Sequence, residues 1–390
     1  MLPFPIISQT TNNAPSMELK KLSMGNNHWA VLYSNGELYT AGTGTSYQLG
    51  TGTNVNNPLW SLVNTDVAMV WAGSSCTLVA KNDGTWWHVG SKFSVYGTSG
   101  TNQTWTDVSS TFSSVSLINI KKLELGASSM FILMNDGTLY GMGYNQYGEL
   151  GKGNSTAVTS LSTIASSVQD VSCRVNHCLY ISGTLLYRCG LNTSAQLGDN
   201  TQTNKNTFTS YTQNNYTPIQ VYACTSASYV VYQHNTTFAK ALFSTGSAYY
   251  GETGRGIVSS SPYVYGTFGM MTNGSNAAGS TVELPYEGTA NNMIVLKNNN
   301  TLMGMGYQNF YACAATDNNR VNNIIVCSPP VVCNQIPGTN VQDITNICTD
   351  STSQLSLLVY QNKVYWAGNG TKVGLSGSRN YWSILSTPYS

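Results

Sequence analysis

The side chains best able to do chemistry are few and scattered. Four histidines, His28, His88, His177 and His234, stand far apart in the chain. No His-x-His, His-Glu-x-x-His or calcium-loop pattern joins them to another ligand, so no metal site and no cofactor are predicted. Sixteen carboxylates are spread thinly, and the closest pair is Glu283 and Glu287 in VELPYEG. Glycoside hydrolysis would need two carboxylates facing each other over a cleft, which sequence spacing neither supplies nor excludes. Asp83 and Asp136 sit in Asp-Gly turns, a role that accounts for them. KNDGTWWHVG is close to an Asp box, but its Asp and Gly are adjacent. Sialidase chemistry would also draw on clustered arginines, and this chain has only Arg174, Arg188, Arg255, Arg320 and Arg379. There is no Gly-x-Ser-x-Gly elbow and no phosphate loop. GETGRG (251–256) has the glycines without the Lys-Ser or the helix, and reads as a flexible loop. No catalytic residue is predicted.

Other reactive groups point to structure or to the surface. The cysteines are odd in number, nine, without a Cys-x-x-Cys pair. Cys76, Cys173, Cys178, Cys189, Cys224 and Cys348 fall in apolar strand-like runs, as buried thiols acting as small hydrophobes do. Cys327 and Cys333 flank SPPVV and are the candidates for a disulfide. Eight Asn-x-Ser/Thr sequons offer glycosylation sites, at Asn102, Asn154, Asn192, Asn215, Asn235, Asn273, Asn299 and Asn369. A chain this rich in Asn, Ser and Thr produces about that many by chance, so the motif alone does not establish a glycan.

What remains is surface chemistry. Charged residues make up 8% of the 390, against about a quarter in an average domain. Asn, Ser, Thr, Gly and 25 tyrosines fill the gap. Tyrosine offers contact area at low entropic cost and short polar groups offer hydrogen bonds, a palette for recognition of proteins or sugars. The longest stretch between strand signals, 246–280, carries Tyr249, Tyr250, Tyr263, Tyr265 and Phe268, which are the candidate ligand-binding aromatics. The alternative is a surface loop packed on a neighbour. Net charge is +1, and the only basic clusters are the pairs Lys20–Lys21 and Lys121–Lys122, read as solvated strand ends. Nucleic acid and anionic membranes are therefore not expected partners. No apolar run is long enough to span a bilayer, and MLPFPIISQTTNNAPS has no basic region of the kind a secretory signal uses.

The elements that position these residues repeat. An apolar-small-Gly strand end recurs at Gly42, Gly90, Gly143, Gly190, Gly246, Gly306 and Gly368, with spacings of 48, 53, 47, 56, 60 and 62 residues. Each unit has a strand ending near a small residue and a second, continuously apolar strand such as MFILM (130–134). An Asn-Gly or Asp-Gly turn and a third strand such as TLYGMG follow. The turn dipeptides suit positive φ at both central positions. Small residues at the strand end suit close backbone approach. Strands apolar at consecutive positions are buried on both faces, as in a blade held between two blades. The prediction is an all-β, seven-bladed β-propeller of repeats about fifty residues long, one domain over 1–390. Residues 1–17 form an arm, and the blades run over about 18–63, 64–110, 111–163, 164–213, 214–275, 276–336 and 337–390. YWSILS (381–386) is similar to PLWSLV (58–63), so the last blade can be complete from its own strands.

GNNHWAVLYSNGELYTAGTGTSYQLGTGT (25–53) resembles the repeat of the regulator of chromosome condensation family. The family's Gly-Gln-Leu-Gly tail has counterparts in SYQLGTG (46–52), NQYGELGKG (145–153) and NTSAQLGDN (192–200). Its histidine has counterparts at His28 and His177, with Cys76 and Ser129 in that slot elsewhere. Units five to seven keep only fragments of the tail. The resemblance implies a seven-bladed propeller whose histidines orient turns by hydrogen bonding. The family's best-known members exchange nucleotide on a small nuclear GTPase and bind chromatin, through a charged face and a basic segment that this chain does not display. The expectation is a non-enzymatic interaction protein, on a virion surface or phage tail, serving attachment to a host receptor or glycan or assembly with other virion proteins. The alternative is a glycosylated extracellular or cell-surface protein of a microbial eukaryote. An enzyme would require three or more charged side chains converging on the central channel.

Overall fold

The computed structural model describes residues 17–249, 251–256, 264–271, 293–298, 301–308, 320–321, 324–332, 340, 343–349 and 355–389. The chain is all-β and forms a propeller. Six sheets, over 19–64, 67–107, 120–165, 168–211, 216–270 and 344–385, are four-stranded antiparallel meanders with strands in chain order. A seventh sheet, over 293–332, is put together differently. Met293–Asn298 and Thr301–Gln308, the second and third strands of that repeat, pair as expected, and Ile324–Val332 follows as the fourth. Its remaining strand is the short Arg320–Val321, added outside Ile324–Val332. The expectation of seven like blades is thus corrected to six regular blades and one sheet of different strand order.

In the regular blades the first strand is the innermost. First strands touch those of adjacent blades, and Ile344–Thr349 of the last blade meets Leu19–Met24 of the first. The second strands lie between sheets: every residue of His28–Tyr33, Ser129–Met134 and Leu355–Tyr360 is buried. The core is therefore a series of clusters between blades. One runs from Leu22, Trp29 and Val31 of the first blade to Leu357 and Trp366 of the last. The last blade is completed by its own strand Ser378–Leu385. Side chains then seal the ring. Tyr33 Oη donates to Thr387 Oγ1 at 2.9 Å, Trp60 Nε1 to the Ser386 carbonyl at 3.1 Å, and the Leu19 amide to Asn362 Oδ1.

The glycine signal proves to be conformational as well as steric. All seven strand-end glycines have positive φ, from 91° at Gly306 to 131° at Gly143. A Cβ at Gly90 would stand 2.5 Å from the Ser75 carbonyl oxygen. The turns differ from expectation. In the Asn-Gly and Asp-Gly turns only the glycines, Gly36, Gly84 and Gly137, take positive φ. The Gly36 amide donates to the Tyr33 carbonyl, so Ser34 and Asn35 are the central residues and glycine forms a bulge after the turn. Asp83 Oδ1 accepts the Thr85 amide at 2.9 Å and Asp136 Oδ1 the Thr138 amide at 2.8 Å, which is what the aspartates contribute. Gln361 and Asn362, without glycine, make the turn with two positive φ values.

A β-bulge recurs in every regular inner strand. Leu19 pairs with Tyr33 and Lys21 with Leu32, leaving Lys20 extra. The same one-residue excess falls at Ala68, Lys121, Gln169, Ile219 and Thr345. A bulge re-aims the residue that follows it. Here Lys21, Met69, Lys122, Asp170 and Gln220 all turn to one end of the central channel.

Candidate functional site: the channel mouth and the inter-blade joints

The channel end where the inner strands begin is a cavity of about 560 Å³. Lys21, Lys121, Lys122 and Lys240 line it, with Asp170 the one carboxylate among the described residues. Met69, Ile120 and Ile219 give its wall an apolar part, and Trp71, stacked on Trp86, forms part of the lining. The lysine pairs are therefore not simply solvated strand ends. The bulge splits each pair, leaving Lys20 and Lys121 exposed while Lys21 and Lys122 enter the channel.

One residue-pair deeper along the inner strands Trp71, Glu124, Ser172 and Tyr222 are buried, as is Arg174. Charges here are paired. Lys122 Nζ lies 2.9 Å from Asp170 Oδ1 and 3.2 Å from Glu124 Oε1, and donates to the Val171 carbonyl at 2.7 Å. Desolvation alone would lower the pKa of Lys122, but the two carboxylates outweigh it and the net shift is upward. Arg174 Nε lies 3.0 Å from Glu124 Oε2, its Nη2 donates to Glu124 Oε1 at 3.5 Å, and its guanidinium stacks 5.2 Å over Tyr222. Asp170 Oδ2 also accepts the Val221 amide at 2.9 Å, so this carboxylate ties three blades together. Charged groups do converge on the channel, more than three of them, and the deeper ones are engaged with each other. They were hard to find in sequence because they are scattered over separate repeats, Lys21 in the first, Lys122 and Glu124 in the third, Asp170 and Arg174 in the fourth. The signal was the same slot after each bulge.

The histidines join blades. The Thr77 hydroxyl donates to the Gln48 carbonyl at 2.7 Å, so at 3.1 Å it accepts from His28 Nε2. Ser228 does the same between the Gln196 carbonyl and His177 Nε2, at 2.7 and 2.8 Å. A hydroxyl of one blade is thus held by two groups of the preceding blade. Burial lowers the pKa of His28 to about 4 and of His177 to about 3, keeping both neutral. His88, lowered by burial to about 4, stays within its blade beside Asn102 Nδ2 at 3.0 Å. In the third blade Ser129 takes the histidine slot and lies 3.2 Å from Cys173 Sγ.

The Gln-Leu-Gly tail folds onto its own backbone. Gln48, Glu149 and Gln196 are buried, and each side-chain oxygen accepts an amide two residues back, at 2.7, 2.9 and 2.8 Å. Glu149 also lies 2.7 Å from Ser128 Oγ, and burial raises its pKa despite these hydrogen bonds. Unit five was expected to have lost this tail, yet it keeps the geometry. Ser244 donates to the Thr253 carbonyl as Thr40 does to Leu49, and Glu252 is buried. A Gln-to-Glu and Leu-to-Thr change hid the likeness.

The other expected site residues are dispersed. Val264–Met270 is the outer strand of the fifth blade, so 246–280 is not one long loop. Tyr265 lies under the Arg255 guanidinium at 3.8 Å. Phe268 is buried between blades against Tyr211 and cannot offer its ring to a ligand. Tyr249 is 38% exposed, while Tyr250 and Tyr263 lie outside the described residues. Asn192 is fully buried, and its Nδ2 donates to Asp199 and the Thr201 carbonyl while Oδ1 accepts the Leu197 amide. It organises the tail loop, as Asn145 does in the third blade, and is not a glycan acceptor in this fold. Asn154, Asn215 and Asn235 are exposed; Asn102 and Asn369 are half-buried, Asn369 capping a short 3₁₀ turn. Asn273, Asn299, Glu283 and Glu287 lie outside the described residues, as does the arm before Met17. Cys327 is in the strand Ile324–Val332, and its expected partner Cys333 lies outside them. Cys76, Cys173, Cys178, Cys189 and Cys224 are free and, like Cys348, buried.

The regulator of chromosome condensation (RCC1) repeat matches residues 35–80 and 136–181, each span running from the hairpin turn of one blade into the second strand of the next. Human WBSCR16 has a similar structure, with a TM-score of 0.67 at 14% identity over 90% of this chain and 94% of that one. Prp20p from Saccharomyces cerevisiae gives 0.62 at 16% identity over 85% and 80%. The chain thus carries two matches to the RCC1 repeat within the propeller fold that those proteins share.

Proposed function

We propose that the protein is a non-enzymatic docking propeller, carried on the surface or tail of a virus particle, where it attaches to a host receptor or glycan or holds other virion proteins. The observation that carries the docking part is the employment of its ionisable groups. His28, His177, Asp170, Glu124 and Arg174 hold blades to one another. Partner contact is left to the rims and the channel mouth. Prp20p, a protein of similar fold, is described with binding to Gsp1p and histones, which makes protein docking a use this architecture supports. The particle setting rests on composition: few charges, with Asn, Ser, Thr, Gly and Tyr covering the surface.

The test is a density gradient of the native source, with the protein followed by mass spectrometry. Co-banding with a capsid or tail protein is expected. Recovery only in soluble fractions, or on cell surfaces with sugar masses at Asn154, Asn215 or Asn235, overturns the particle setting in favour of the extracellular alternative.

A further inference from the structure

We propose that the joint between the third and fourth blades is a proton-operated latch, in which the carboxylic acid of Glu149 hands a hydrogen bond across to the fourth blade and ionised Glu149 lets go. The latch belongs to the ring itself and is independent of the docking reading. Around Ser128 Oγ stand Glu149 Oε1 at 2.7 Å, Asn176 Oδ1 at 2.8 Å and the Val175 carbonyl at 2.9 Å. Ser128 and Glu149 belong to the third blade. Val175 and Asn176 lie between the first two strands of the fourth, Val168–Ser172 and His177–Ser182. A hydroxyl has one hydrogen to give, and three acceptors claim it. Reversing the Asn176 amide would present its Nδ2–H to the hydroxyl and still leave one proton for Glu149 and the Val175 carbonyl. A second proton, carried by Glu149, completes the set. The acid donates to Ser128 Oγ, and the hydroxyl is free to donate to the fourth blade. Ionisation breaks this relay, because Ser128 then turns its proton to the carboxylate and the carbonyl across the joint loses its donor.

The same position in the next joint shows what the site needs. Glu149 and Gln196 stand at one place in their repeats, each six residues after a strand-end glycine, Gly143 and Gly190. Gln196 Nε2 donates to the Thr225 carbonyl of the fifth blade at 3.5 Å. Thr225 is the counterpart of Val175, each two residues before its blade's second strand. A neutral donor thus reaches across that joint, and only the acid form of Glu149 can imitate it. The surroundings suit that form. Glu149 and Ser128 are buried, Oε2 accepts the Tyr147 amide at 2.9 Å, and no cation lies within ion-pair distance of Glu149 among the described residues. The fourth blade brings up the Cys189 thiol, which donates to the Glu149 carbonyl at 3.2 Å, and His177, which like Glu149 adjoins Gly190 and is kept neutral by burial. The Arg174 guanidinium of that blade turns to Glu124. Lys152, in the same tail as Glu149, is exposed and bonds Ser162 Oγ. Burial raises the Glu149 carboxyl above its ordinary 4.5, in agreement with this geometry. As pH rises from 4.5 the unfolded chain loses this proton first. The latch's contribution is therefore complete below 4.5 and is lost as pH climbs through the folded value.

The first test is infrared difference spectroscopy of the intact chain at pH 5.5, unaltered protein against Glu149→Gln. Gln fills this slot as Gln48 and Gln196 in the first and fourth blades, so the variant is expected to fold. A carboxylic-acid carbonyl band present in the unaltered protein and missing from the variant is expected. It should fade as pH is raised. The fifth blade repeats the pair as Ser226 and Glu252, 3.4 Å apart, and the substitution separates Glu149 from it. The second test is the urea midpoint of both proteins from pH 5 to 8. His28 and His177 act alike in the two and cancel in the comparison. The unaltered protein is expected to weaken relative to Glu149→Gln as pH rises, by up to about tenfold in the unfolding equilibrium for each pH unit between 4.5 and the folded value. Absence of the acid band at pH 5.5 overturns the proposal, as do midpoint curves that stay parallel across the range.

Discussion

His28 and His177 are placed so that a proton costs them their fold. Each donates Nε2–H to a hydroxyl of the next blade, and Nδ1 of each has no hydrogen-bond partner among the described residues. Protonation would bury an unbalanced charge. Because burial depresses the folded-state pKa below the unfolded value of 6.5, the unfolded chain binds protons first as pH falls. The stability these rings contribute is complete above pH 6.5 and is lost progressively down to about pH 4 for His28 and about pH 3 for His177. For His28 the loss is on the order of 3 kcal/mol. Denaturant midpoints measured from pH 7.5 to 4 should therefore fall, and His28→Gln should flatten part of the slope. Glu149, with its raised pKa, works in the opposite sense near its own titration. A midpoint unchanged over that range would contradict the joint. Sequence marked both histidines through the repeat slot, yet the hydroxyl partners were not legible. Thr77 and Ser228 are ordinary strand residues until the blades are stacked.

At the scale of the element, the bulge decides what the channel contains. A strand of alternating residues would put Lys20 or Lys21 inward with equal ease, since one step of register exchanges the two faces. The extra residue at Lys20, Ala68, Lys121, Gln169 and Ile219 settles this the same way in each blade. Nothing in the apolar pattern announces it, because the bulge shifts pairing without altering composition. The strand-end glycines were legible, since positive φ and close approach both demand glycine there. The sheet over 293–332 was less so, because its order adds Arg320–Val321 beyond the expected fourth strand. Asp170 shows what the bulge secures. Asp170→Ala strands the Val221 amide and leaves Lys122 with Glu124 as its remaining carboxylate. Unfolding in urea should show a loss of about 2–4 kcal/mol. A change below about 0.5 kcal/mol would mean that water replaces the carboxylate at no cost.

For the whole molecule, the ring separates two kinds of work. Joints of histidine, hydroxyl and tail carbonyl hold blades together, and the ring is sealed where Tyr33 and Trp60 of the first blade meet Thr387 and Ser386 after the last. Partners are left the two ends of the channel and the rim. The ends differ. The tail loops with Lys152, and the strand ends before Lys92 and at Lys205, lie at the end opposite the mouth. Composition made the chain look uniformly neutral, and the mouth lysines, from the first, third and fifth blades, stand together only when the ring closes. The most direct measurement is zero-length carbodiimide cross-linking of the native material, which joins a lysine amine to a carboxylate in contact with it. Bonds from lysines at either end of the channel, Lys121 at the mouth or Lys92, Lys152 and Lys205 opposite, to aspartates or glutamates of another protein are the expected result. Bonds formed only within the chain would contradict the account.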